Sequence, residues 1–410
     1  MRLSPTLRRA RQAGFTMVEI LIGMIIGLVG IVVIMQVFAV SEGFKRTASS
    51  GTDAQINGGL ALYLLERDIR TSGYIINSIL PLGCTTVRVW NNVAGTGVDM
   101  RMLPFEINPP GIPVGDANTD TILVASGSAD SFVAGVTADQ PGKTPTESIV
   151  LGSNREGFKA GDLFITVMPG ATPSCVMHEA TSVPNVPGNC GNPAPSPNTN
   201  INHAVVNYKS TYTGCTNVLA KYNSATGIKD SSGALVPPLN KANGGQAFNI
   251  GNKPTIKIYA VRGGNLTTCD AMASDCTVVA NYATVVNDIV SMRAVYGKDF
   301  VPPVTPTGNP GDGKIDQWDH VALASSLEAS RVLAAQIEIV ARSAITEKPT
   351  NGTTCDATTN SNMPDRAQAW MGDAIAGAKI DISSSAGNWQ CYRYKLFQTT
   401  VPLRNMIWRP

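Results

Sequence analysis

The sequence predicts an α+β protein, one long N-terminal α-helix followed by a β-rich globular head with long loops. Three observations carry that expectation. From Ile20 to Ser41 no residue is charged, and Gln36 is the only large polar side chain. Positions 52–70 place Ile56, Leu60, Leu64 and Ile69 at helical spacing, with Tyr63 alongside. The whole chain is only 15% charged and holds 39 Gly and 26 Pro, a composition of strands and turns rather than of further helices.

The 22 residues of the apolar run, at ~1.5 Å of rise each, cover about 33 Å, enough to cross the hydrocarbon core of a bilayer. Arg2, Arg8, Arg9 and Arg11 precede it, and no acid occurs in the first 14 residues. This asymmetry predicts a cytoplasmic N-terminus, with everything after residue 41 on the far side of the membrane. Glu19 stands at the threshold of the run, where burial of a carboxylate costs on the order of 3 kcal/mol. The small residue, Gly14, lies ahead of the apolar stretch, whereas a cleaved secretory signal places its small residues behind a run of roughly 7–15.

Gly14-Phe15-Thr16-Met17-Val18-Glu19, between a basic leader and an apolar helix, resembles the type III leader of type IV prepilins. An ordinary signal-anchor is the alternative. The resemblance implies cleavage by prepilin peptidase between Gly14 and Phe15, methylation of the new amine on Phe15, and retention of the helix. A neighbouring subunit's amine would then neutralise Glu19 and set the axial register. The plainer reading leaves Glu19 hydrated at the membrane interface. Gly23, Gly27 and Gly30 add an edge that permits close helix contact. The expected divisions are a removed leader at 1–14, a membrane or filament-core helix at 15–41, its amphipathic continuation at 42–72 and the head at 73–410.

Gly73 is the expected stop of the helix, and Gly51, Gly58 and Gly59 weaken its outer part by up to about 1 kcal/mol each. A separate amphipathic helix after a break is the other reading. Either way, the apolar stripe needs a surface to cover it, most simply a sheet. Strands are expected at Thr85–Trp90, Thr121–Ala125, Ser148–Leu151, Asp162–Met168, Cys175–Glu179 and Ala204–Tyr208. Further strands are expected at Thr255–Arg262, Val285–Tyr296, Ala334–Ala341 and Gln390–Thr400. Residues 169–200, 223–254 and 343–366 read as long loops, which serve binding or motion. Ala322–Ala344 fits helix or strand, with strand preferred for its later half.

Positions 15–410 carry 28 basic and 30 acidic side chains, so no net basic surface for nucleic acid is expected. All eight cysteines (Cys84, Cys175, Cys190, Cys215, Cys269, Cys276, Cys355 and Cys391) follow the apolar run. An even number beyond a membrane anchor predicts disulfides, and proximity suggests Cys269 with Cys276. Without a Cys-x-x-Cys, and with only three histidines, a zinc site is not expected.

Several scattered segments resemble one branch of the minor pilins, the PilW family. They are the leader, Leu65-Glu66-Arg67-Asp68-Ile69-Arg70 with Gly73-Tyr74, and Gly161-Asp162-Leu163-Phe164 ahead of Cys175. Ile258-Tyr259-Ala260-Val261, Val286 to Tyr296-Gly297, Gly311-Asp312-Gly313 and Thr399-Thr400-Val401-Pro402-Leu403-Arg404-Asn405 complete the set. The resemblance implies a pilin-like fold, with the helix packed on an antiparallel sheet. It also implies a part in priming pilus assembly, at or near the filament tip. Implied partners are other minor pilins, the major pilin and a tip adhesin, with residence in the inner membrane before export into the fimbrium. A minor pseudopilin of type II secretion shares the leader. A membrane-anchored binding or hydrolytic protein is the alternative from another class.

No cofactor is expected. As a calcium loop, Gly313 at the sixth EF-hand position puts Asp312 at five, Asp316 at nine and Asp319 at twelve. Gly308 and Pro310, at positions one and three, supply no carboxylate, so an acidic turn is the competing reading. Gly142-Lys143-Thr144 lacks the first glycine of a phosphate loop, and His178-Glu179 lacks a second histidine at metalloprotease spacing. No Gly-x-Ser-x-Gly elbow occurs. His320 beside Asp319 reads as a surface pair, and an enzyme is not expected.

Overall fold

The computed structural model describes all residues except 1–13, 93, 131–134, 140–148, 152–156, 171–172, 184–189, 191–199, 231, 301–310, 348, 350–351, 360–370, 384–386 and 408–410. Two compact units are present, Met1–Thr52 and Asp53–Pro410. Helix α1 runs from Met17 to Thr71, 55 residues without a proline. Its Met17–Lys45 stretch is long and apolar enough to cross a membrane, and none of its apolar window is buried.

Within the second unit, α1 buries Ala54, Ala61, Leu65 and Ile69, spaced at four- and seven-residue intervals along one face. They join the largest core, with Phe105, Ile107, Val124, Tyr259, Met292, Tyr296, Ile337, Ile339 and Val401. The helix stops where Gly73 takes φ 82°, a left-handed conformation that costs glycine nothing. Asn405, near the C-terminus, donates its Nδ2 to the carbonyls of Thr71 (3.0 Å) and Ser72 (2.9 Å), closing the helix end.

The strands, in chain order, are β1 (Thr86–Asn91), β2 (Thr96–Arg101), β3 (Phe105–Ile107), β4 (Ile122–Ser126), β5 (Val136–Thr137), β6 (Ile149–Val150) and β7 (Leu163–Met168). Next come β8 (Ser174–Glu179), β9 (Asn200–Ile201), β10 (Asn207–Lys209), β11 (Asn217–Leu219), β12 (Gln246–Gly251) and β13 (Thr255–Arg262). The last are β14 (Asn265–Asp270), β15 (Ala283–Val286), β16 (Ile289–Lys298), β17 (Gln317–Asp319), β18 (Val332–Arg342) and β19 (Tyr394–Pro402). Three larger sheets form, ordered β2-β1-β8-β7-β12-β5, β15-β14-β13-β4-β3 and β17-β16-β18-β19. Their pairs are antiparallel except β1 with β8. The ten expected strands all meet strands here, although Ala204–Tyr208 only overlaps the start of β10. Of Ala322–Ala344, Ser326–Ser330 is a short helix (α2) and the later half is β18. The expected loop at 223–254 contains β12, whose Ala247, Phe248 and Ile250 are buried.

A second core fills the space among β1, β7, β8, β12 and β13, with Val87, Ile165, Met177, Phe248 and Ile258. Four disulfides tie the head together: Cys84–Cys175, Cys190–Cys215, Cys269–Cys276 and Cys355–Cys391. The first spans 91 residues and joins the β1 approach to β8, so it restricts the unfolded chain most.

Candidate functional site

Gly14, Phe15 and Thr16 lead into α1 without helical structure, and Phe15 is 81% exposed. Thr16 caps the helix. Its hydroxyl accepts from the Glu19 N–H at 3.3 Å, and the Glu19 carboxylate accepts from the Thr16 N–H at 3.4 Å and from its hydroxyl at 3.5 Å. This is a reciprocal capping box, and the Glu19 N–H also donates to the Thr16 carbonyl at 3.1 Å. The pattern Thr-x-x-Glu is legible in the sequence, but neither expectation for Glu19, a neighbour's amine or hydration at the interface, includes a cap. The carboxylate also lies at the positive end of the helix dipole. An added Cβ at Gly23, Gly27 or Gly30 would meet nothing within 4 Å, so these glycines keep an open flank.

The segments that carried the resemblance serve distinct structural tasks. Asp68, in α1, accepts from Lys257 Nζ (2.8 Å), Tyr259 OH (2.6 Å) and Arg67 Nε (2.9 Å). Burial pushes its pKa up, but those three donors outweigh burial and hold the carboxyl below its ordinary range. The helix is thereby pinned to β13 by charge as well as by packing. Asp162, at the start of β7, accepts from Lys159 N (2.8 Å), Tyr212 OH (2.5 Å) and Asn249 Nδ2 (2.8 Å). Here burial wins, and the carboxyl is raised despite its donors. Cys175 and Asn405 supply the disulfide and the helix closure already described.

In the Gly311-Asp312-Gly313 segment, Asp299, Asp312 and Asp316 place one carboxylate oxygen each within 4.8 Å of one another. Asp299 is the member that the calcium pattern did not include. It is buried, and it accepts from the amides of Asp312 (3.3 Å) and Gly313 (2.8 Å). Gly311 is required because any Cβ there would collide with the Asp299 carboxylate. Asp319, the expected twelfth ligand, turns away to Lys298 (2.8 Å), a buried lysine that also holds Glu328 (2.7 Å). Gly308 and Pro310 lie outside the described residues. Three carboxylates suit a hard cation, but such ions take six to eight oxygens, and Asp299 already serves two amides. The acidic turn accounts for these contacts.

The remaining motifs show no catalytic arrangement among the described residues. His320 bonds Asp120, not Asp319, through Nε2 at 3.0 Å, and buried Asp120 also binds Arg293 at 3.1 Å. His178 lies against Phe164 and His203, at ring separations of 5.4 and 4.6 Å. Gly142-Lys143-Thr144 lies outside the described residues.

The chain thus combines a capped, exposed apolar helix at its N-terminal side with a disulfide-linked β-rich head. Residues 9–35 match the family model described as the prokaryotic N-terminal methylation motif, and residues 263–405 match that of the type IV pilus-assembly protein W. Together the two matches support a type IV pilin of the PilW family. No curated protein and no solved structure gives a significant match. Pilin-family domains are structural rather than catalytic, and pilins are processed by prepilin peptidase and associate with other pilus components.

Proposed function

We propose that the protein is a minor pilin that helps to prime type IV pilus polymerisation and sits at or near the filament tip, with other minor pilins, the major pilin beneath and an adhesin. The observation that carries this reading is the match over residues 263–405, joined in one chain to a methylation-type N-terminus. In this reading the leader 1–14 is removed, Phe15 is methylated, and the head is periplasmic until the subunit leaves the inner membrane for the filament.

The capping box suggests how Glu19 serves both stages. In lipid, the Thr16 amide and hydroxyl satisfy part of the carboxylate's hydrogen-bonding capacity, which lowers the cost of holding it near an apolar environment. Those contacts come from uncharged donors and are long. A neighbour's protonated amine adds a full opposite charge to the hydrogen bond, so assembly draws Glu19 toward the next subunit. Gly23, Gly27 and Gly30 supply the open flank for that approach.

Glu19→Ala in the full chain should enter the membrane as well as wild type, while its recovery in sheared filaments drops at least about tenfold, the equivalent of ~1.4 kcal/mol. Immunoblots of membrane and filament fractions from a complemented deletion strain measure both. Equal recovery of the variant and wild type in filaments would sink the register role of Glu19. Normal piliation in the deletion strain itself would sink the priming role.

A further inference from the structure

We propose that β19 is a docking edge for an extended, acidic segment of a different polypeptide, added as a further strand to the β17-β16-β18-β19 sheet. The inference rests on the filament-subunit reading above. Every other outer strand of the three larger sheets is short: two residues in β5, three in β3 and β17, four in β15 and six in β2. β19 has nine residues and pairs only with β18 among the described residues. Long, regular edges are what native proteins normally blunt, because their outward amides template another chain.

The register shows which groups face outward. Ser343 N donates to Arg393 O (2.8 Å) and Leu403 N to Leu333 O (2.9 Å). The ladder between them runs without a bulge, so the odd-numbered residues of β19 turn their amides and carbonyls to β18. Leu396, Gln398 and Thr400 therefore direct theirs away from it, and Pro402, which has no N–H, falls at an outward position where a proline costs no ladder bond. Three consecutive outward donors and their carbonyls form the main-chain half of a strand-addition site. Only polypeptide can complete it.

Charge selects the occupant. The stretch 393–404 holds Arg393, Lys395 and Arg404 and no acid. Arg393 is answered by Glu347, but among the described residues Lys395 donates only to the neutral Gln55 side chain, and both Lys395 and Arg404 are exposed. A second copy pairing antiparallel through its own β19 would add cations to cations, with Arg404 of one copy beside Arg393 of the other. A strand flanked by carboxylates from another subunit complements this edge.

The test uses the full-length chain in cells that assemble filaments, with a photoreactive benzoylphenylalanine at position 398 and sequencing of the crosslinked peptide. The expected product joins position 398 to an extended acidic segment of a different subunit. Gln398→Ala keeps the outward amide and should be incorporated like wild type, whereas Gln398→Pro removes it and should lose at least about tenfold. A melt of the detergent-solubilised chain verifies that Gln398→Pro still folds. If it does not fold, Lys395→Glu takes its place and should lose incorporation with an unchanged melt. Wild-type incorporation of a folded Gln398→Pro, or of Lys395→Glu where it stands in, would overturn the proposal. So would crosslinks solely between copies of this chain, or none at all. Absence of the wild-type chain itself from filaments would instead refute the filament-subunit reading, so the two failures are distinguishable.

Discussion

His178 is enclosed by aromatic neighbours. Its Nε2 lies 3.2 Å from the Thr166 hydroxyl, and its Nδ1 has no hydrogen-bond partner among the described residues. Burial first, and the adjacent His203 second, hold this imidazole well below its ordinary range. In the unfolded chain the same group titrates near ~6.5. Below that pH the unfolded state binds a proton that the folded state does not, so stability is complete above it and falls as the medium acidifies. The loss is about 1.4 kcal/mol per pH unit until the folded group itself titrates. Melts of the detergent-solubilised chain between pH 7.5 and 5 should show this decline, and His178→Phe should flatten it. Parallel profiles for the two proteins would refute the assignment. The sequence offered only His178 beside Glu179. The ring's surroundings come from Phe164 and His203, which chain proximity does not connect to it.

At the scale of elements, the contact of α1 with β19 is decided by a glycine. A Cβ at Gly58 would overlap the ring of Phe397, so the helix approaches the sheet at this point only because no side chain intervenes. Gly58→Ala improves intrinsic helix propensity by up to about 1 kcal/mol, yet overpacking of this kind costs ~1–3 kcal/mol. The head should therefore lose stability in denaturant melts, and Phe397→Leu in the same chain should restore part of it. An alanine variant as stable as wild type would show that the ring moves aside without penalty. The same contact shows how much the sequence made legible. The Ile56-Leu60-Leu64-Ile69 spacing gave the helix and Gly73 its end, and Ile69 and Leu64 do meet the core, but Ile56 and Leu60 are exposed while Ala54, Ala61 and Leu65 are buried. Small residues face the sheet where hydrophobicity alone favours large ones. Strands with dense β-branched residues were readable. β12 was not, because Gln246-Ala247-Phe248-Asn249-Ile250-Gly251 lies among asparagines and glycines and is defined by its partner β7.

For the whole molecule, the C-terminal stretch returns to the helix with which the chain begins. Asn405 closes the end of α1, Val401 and Leu403 enter the core under it, and Asp68 reaches across to Lys257 and Tyr259. The segments resembling PilW are thus spread along the sequence, yet several converge on one helix–sheet junction, which explains how short scattered motifs can describe one fold. The acidic turn shows the limit of motif spacing. Asp312 and Asp316 meet as expected, but their third partner, Asp299, comes from the end of β16, and Asp319 belongs to the Lys298 network.

The central claim is that this chain is cut after Gly14 and built into a filament through the helix that remains. Mass spectrometry of its N-terminal peptide, recovered from sheared and washed filaments, tests that claim most directly. The account predicts a peptide that begins at N-methylated Phe15. A chain that keeps Met1, one cut near residue 40, or its absence from the filaments would contradict it.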